Sequence, residues 1–125
     1  MKAKPTDSEL EILTILWEKG PSTVRDIHEI LATAKDTGYT TTLKTMQNMH
    51  NKGILDRAEQ GRGHLYTPSL SEKETQGSLL SNFVNATFGG SAKKLILRAL
   101  GESNPSQEEI KEIRNLLNEL ENKNE

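Results

Sequence analysis

The stretch Gly38–Gly53, GYTTTLKTMQNMHNKG, gathers side chains that can read hydrogen-bonding edges. Thr40, Thr41 and Thr42 are three consecutive hydroxyls, and Thr45 is a fourth. Lys44 adds a cation, and Gln47 and Asn48 add carboxamides. Threonine can bond phosphate or a base edge, and its methyl can pack on the thymine methyl. Carboxamides pair bidentately with adenine, and lysine suits phosphate or guanine. No acid stands between Thr37 and Leu55. Tyr39, just ahead of the threonines, is open to packing or to donating to a phosphate.

Such side chains act together only on a rigid support. Leu43, Met46 and Met49 or His50 recur at helical spacing, so the stretch reads as a helix with one apolar stripe and one polar face. One hydroxyl is enough for a cap, which leaves the other threonines free. The N-terminal end of such a helix can enter a major groove while the apolar stripe holds it to a scaffold. The plainer alternative is a solvated polar face, and the surrounding elements decide between the two.

Upstream, TDSE at Thr6–Glu9 is a capping box. Leu10, Leu13 and Trp17 then share a face, with Ile12, Ile15 and Leu16 widening it, and Gly20-Pro21 ends this helix. Ser22 can cap a second helix carrying Val24, Ile27 and Leu31. Downstream of Gly53 the period changes. ILDRAEQGRGHLYTP reads as two short strands around Gly61-Arg62-Gly63, a β-hairpin stopped by Pro68. Arg62 at its tip is suited to a backbone phosphate or a minor groove. The order helix, helix, helix, hairpin is that of a winged helix.

The remainder is helical. SEKE at Ser71–Glu74 is another capping box, followed on one face by Leu79, Leu80, Phe83, Val84 and Phe88, with a break at Gly89-Gly90. SAKKLILRALG is a short apolar helix ending at Gly101, with Leu97 and Leu100. Ser106 and Glu109 open a last helix with Ile110, Ile113, Leu116, Leu117 and Leu120 on one stripe. Three short helices cannot bury these stripes among themselves, and pairing with a second copy is the simplest solution.

Composition sets limits. The 125 residues allow one domain, or a small domain with an extension. At 33 % hydrophobic and 27 % charged, the core is thin, which again favours a partner chain. The net charge is −2, yet residues 1–70 balance nine bases against nine acids, and the excess acid falls in 71–125. No apolar run reaches the roughly 18 residues of a membrane span, and no signal peptide is evident, so the expected setting is cytoplasmic. There is no cysteine, which removes disulfides and thiolate sites. His28, His50 and His64 lack metal-site spacing, no nucleophile motif or phosphate loop is found, and neither an enzyme nor a cofactor is expected.

Together, PTDSELEILTILWEKGPSTVRDI, YTTTLKTMQNMHNKGIL, GRGHLYTP, FGGS and SQEEIKEIRNLL resemble the penicillinase and methicillin-resistance repressor family, the BlaI/MecI-like regulators. The resemblance covers nearly the whole chain. It implies a bacterial repressor that binds a palindromic operator as a homodimer. In relatives with a known signal path, it further implies release after a membrane sensor-protease triggers cleavage in the C-terminal region. The family commonly has arginine and leucine where this chain has Asn48 and Met49. Its Asn-Phe cleavage bond is matched here by Arg98-Ala99. The cysteine-rich hook of the copper-responsive relatives is missing.

The expected fold is mainly α with a small β-hairpin: a winged helix-turn-helix over 1–70, then a helical dimerisation region over 71–125. The expected DNA-facing residues are Tyr39, Thr40, Thr41, Thr42, Lys44, Thr45, Gln47, Asn48 and Arg62. A winged-helix module that binds protein is the competing expectation. Such modules lose the basic, acid-free face that is kept here.

Overall fold

The computed structural model describes residues 4–124. It is mainly helical with one hairpin: α1 (Asp7–Lys19), α2 (Val24–Ala34), α3 (Tyr39–Asn51), β1 (Leu55–Gln60), β2 (Gly63–Pro68), α4 (Glu72–Thr87), α5 (Ala92–Ser103) and α6 (Gln107–Lys123). Two compact units, residues 1–78 and 79–125, divide the chain. The division falls inside α4, later than the Leu70–Ser71 border read from the sequence.

Local chemistry explains the helix ends of the first unit. At α1 the Thr6 hydroxyl accepts from the Glu9 amide, and the Glu9 carboxylate accepts from the Thr6 amide, a complete capping box. Gly20 ends α1 with φ 87°, a conformation open to glycine but strained for other residues. The cap of α2 is Thr23, reciprocated by Asp26, not Ser22 as expected. Ser22 is instead buried, and its backbone exchanges two hydrogen bonds with Tyr66. That bridge ties the chain between α1 and α2 to the wing.

The hairpin pairs antiparallel from Leu55↔Pro68 to Gln60↔Gly63, leaving Gly61-Arg62 as a two-residue loop. Gly61 has φ 60°, the positive φ that a two-residue loop with glycine first demands. Beneath these elements lies one core: Ile12, Leu13 and Leu16 of α1, Val24, Ile27 and Leu31 of α2, Met46 and Met49 of α3, then Ile54, Leu55 and Tyr66. Leu43, expected on the buried stripe, is only partly buried at its edge. Trp17 packs beside this core and donates its indole N–H to the Leu70 carbonyl at 3.0 Å.

In the second unit, α5 does not end at Gly101. It runs to Ser103, and Asn104 takes the left-handed cap at φ 46°. Asparagine tolerates that conformation, and Pro105 follows, so the stop lies three residues beyond the glycine. The Ser106–Glu109 capping box of α6 is complete, and these bonds hold the exposed Glu109 carboxyl below its usual value. Val84 is buried within the single chain, unlike the other residues expected on the α4 stripe.

Candidate nucleic-acid interface

α3 stands on the core through Met46 and Met49, each with no measurable exposure, and through Thr42 at 1 %. Positions 42, 46 and 49 follow the three-to-four spacing of one helix face. The opposite face is therefore set outward. Tyr39, Thr40, Thr41, Lys44, Gln47 and Asn48 are all exposed. Thr45 is half-buried and turns its hydroxyl back to the Thr41 carbonyl at 2.9 Å, so it presents mainly its methyl.

Thr42 corrects the sequence reading. Expected among the outward hydroxyls, its side chain is inside, with Oγ1 3.2 Å from Nδ1 of His28 on α2. Three consecutive residues span about 200° of a helix, so they cannot all share one face. Tyr39 is 45 % exposed, and its ring lies edge-on to His28, with centroids 5.6 Å apart. It serves packing while part of it stays accessible.

The electrostatics of α3 come from omission. Its N-cap is Gly38, which offers no side-chain acceptor, and no acid occupies its first turn. The positive end of the helix dipole is thus left uncompensated by the helix's own cap and first turn. Neither Lys44 nor Arg62 is in an ion pair among the described residues, whereas Lys35 pairs with Glu11 at 2.9 Å and Lys52 with Glu9 at 2.7 Å. Arg62 is exposed at the hairpin tip.

Lys52, the C-cap of α3, reaches the buried carboxylate of Glu9 at the start of α1. Burial opposes ionisation of Glu9, but the hydrogen bonds from Lys52 and Thr6 outweigh it and hold the carboxyl below its usual range. The sequence marked Glu9 only as a capping residue, and nothing in its spacing from Lys52 signals the pairing. Among the described residues no cluster of His, Cys, Asp or Glu could hold a metal ion. No described helix is long and apolar enough to cross a membrane.

The second unit presents a different surface. Leu80, Phe83, Leu97, Leu116, Leu117 and Leu120 are each about half exposed, as is Ile96, which the sequence reading left out. Leu79, Phe88, Leu100 and Ile113 are partly buried. Phe83 and Phe88 meet edge to face at 5.7 Å. Neither α5 nor α6 contains a fully buried residue.

Known proteins resemble this chain in sequence over most of its length and in fold over its winged helix. The methicillin resistance regulatory protein MecI of Staphylococcus aureus strain N315 is 27 % identical over 113 residues, covering 90 % of this chain and 92 % of its own. The solution structure of the DNA binding domain of the repressor BlaI matches with a TM-score of 0.53 at 25 % identity, over 59 % of this chain and 93 % of that one. The monomeric form of Bacillus licheniformis BlaI in complex with the blaP half-operator matches with a TM-score of 0.50, also at 25 % identity and with the same coverage. The family model for the penicillinase repressor spans residues 5–119, and the chain belongs to that family.

Proposed function

We propose that this protein is a dimeric, sequence-specific DNA-binding transcriptional repressor. α3 enters the major groove, and the wing meets the backbone through Arg62. The observation that carries the reading is the exposed, acid-free face of α3, made of Thr40, Thr41, Lys44, Gln47 and Asn48 and fixed from behind by Met46 and Met49. Lys44 and Arg62 supply cations that no described carboxylate neutralises. Backbone contacts of this kind place a protein on the duplex, and base contacts then specify the sequence. The relative bound to a half-operator supports the same use of a winged helix.

The second unit supports the dimer. Seven large apolar side chains about half exposed on 47 residues exceed what a solitary surface normally carries. A second copy covering them would form a two-fold interface and place two reading helices about 34–36 Å apart on a palindromic operator. Each head then binds weakly, and linkage supplies the affinity. Disrupting or cleaving the second unit would release the repressor, by the sensor-protease route that the family resemblance implies.

The test is selection of host genomic fragments by the full-length protein, followed by footprinting. Protection of a two-fold symmetric site is the expected result. Retention of fragments with no shared sequence, at an affinity that salt abolishes uniformly, would overturn the claim of specific repression.

A further inference from the structure

We infer that His28 is a positioning residue for DNA reading: from α2 it fixes the first turn of α3, and so sets how the exposed residues of that helix meet the bases. The inference deepens the proposed function and rests on it. α1, α2 and α6 each begin with a reciprocal capping box, and Ser91 and Ser71 accept the amides of Lys94 and Glu74 at α5 and α4. α3 begins at Gly38 with no side-chain cap. Its first turn is instead held from outside. The His28 ring contacts Tyr39 edge-on and brings Nδ1 to 3.2 Å from Thr42 Oγ1. Residues 39 and 42 lie about one turn apart, so a single ring spans the first turn of the helix.

The fate of the Thr42 hydroxyl strengthens the case. Thr14 and Thr45 turn their hydroxyls back to the carbonyls of Leu10 and Thr41 in their own helices. Thr42 is 1 % exposed and is hydrogen-bonded across to another helix. A buried hydroxyl that loses its partner is costly, so this bond resists movement of the turn. It also forms with either tautomer of the ring, because a hydroxyl both donates and accepts. Thr40, Thr41 and Lys44 are carried on or beside this turn, and base contacts demand that they be placed within tenths of an ångström. His28 thus acts on sequence discrimination through the turn that Tyr39 and Thr42 anchor.

The experiment uses the full chain and two duplexes. One is selected by the wild type from a random-sequence library, and the other is a scrambled duplex of equal composition. Affinities are measured over a salt series for wild type, His28→Leu, His28→Asn, Thr42→Val and the Leu/Val double variant, with Trp17 fluorescence reporting folding. His28→Leu and Thr42→Val should each lower the selected-to-scrambled ratio about tenfold, in the range of a lost base contact, with the salt slope unchanged. The double variant should be no worse than either single one. His28→Asn, which keeps a nitrogen near the place of Nδ1, should recover the ratio to within about threefold.

An unchanged ratio in Thr42→Val overturns the inference, and Thr42→Val and His28→Asn carry the test should His28→Leu not fold. Equal weakening on both duplexes with a shallower salt slope also overturns it, since His28 would then itself touch phosphate. A wild type that prefers no duplex overturns the DNA-reading function first, and the inference with it.

Discussion

Replacing Lys52 by methionine should cost more stability than replacing its partner Glu9 by glutamine. The Glu9 side chain is 5 % exposed, while that of Lys52 is 38 % exposed. Deleting one member of a fully buried pair costs about 3–5 kcal/mol, because the survivor is left charged and dry. Two features reduce that figure here. Water reaches part of Lys52, and the Glu9 carboxylate keeps its bond from the Thr6 amide at 2.9 Å. We therefore expect about 2 kcal/mol for Lys52→Met, after discounting for the exposed partner. Glu9→Gln leaves Lys52 free to rehydrate and keeps one acceptor for Thr6, so about 1 kcal/mol is expected, the size of a weakened cap. The folded-state pKa of Glu9 is depressed. Its contribution is therefore present above the unfolded carboxylate pKa and fades as pH falls through the lower folded value. In Lys52→Met the burial of Glu9 remains and its main counterweight is gone, so the variant's deficit should shrink from neutral pH to about pH 4. Urea unfolding followed by Trp17 fluorescence reports on the first unit, since this is the chain's single tryptophan. A Lys52→Met loss under about 0.5 kcal/mol, the range of an ordinary surface change, would refute the reasoning. So would a deficit that does not change with pH.

Gln47→Ala should relax sequence preference at one base position and cost about 1–3 kcal/mol if a bidentate contact is lost; competition binding against single-base variants of the operator reads this. Removing Lys44 or Arg62 should weaken binding to all sequences and lower the salt slope by roughly one unit per phosphate contact. A chain ending at Ser78 should remain folded but sediment as a monomer, and should bind the operator much more weakly than the full chain. Leu116→Glu should give the same monomer without loss of helix content, because Leu116 is already 54 % exposed in the single chain; circular dichroism and sedimentation together check it.

The winged-helix order was legible because each element carries its own punctuation. The Thr6 and Ser106 boxes are local in sequence and stand as read. So does the hairpin, where Gly61 and Gly63 bracket the tip. What sequence periodicity cannot resolve is a one-residue choice. Thr23 and not Ser22 caps α2, because Ser22 is claimed by the wing strand through Tyr66, a partner 44 positions away. Thr42 faces inward for a similar reason. Its hydroxyl type suggests exposure, but the phase set by Met46 and Met49 puts it over the core, where His28 satisfies it. Gly101 misled because a helix can carry a glycine at a cost of about 1 kcal/mol when a better stop follows, and Asn104-Pro105 is that stop. The pairings Glu9–Lys52 and His28–Thr42 join distant positions and leave no periodic trace.

These last two contacts share a logic. A serine or aspartate cap on α3 in place of Gly38 would add only about a few tenths of a kcal/mol of local stability, and an acid in its first turn would add roughly 0.3–1 kcal/mol against the dipole. Both would place an acceptor or a negative charge where the proposed DNA reading brings the duplex. The chain forgoes them: Gly38 caps α3 and the first turn is Tyr39-Thr40-Thr41-Thr42. The lost local stability is replaced from the protein side. His28 holds the first turn through Thr42 and Tyr39, Met46 and Met49 anchor the middle, and Glu9 grips the C-cap through Lys52. The helix is thereby fixed at both ends by groups drawn from α1 and α2, while its outward face and its N-terminal amides carry no competing acid. A helix stabilised this way cannot keep its angle once its scaffold loosens. Exchange of the Thr42 amide, which bonds the Gly38 carbonyl, should therefore accelerate in His28→Leu before exchange of the Glu9 and Asp26 amides held in the caps of α1 and α2 does.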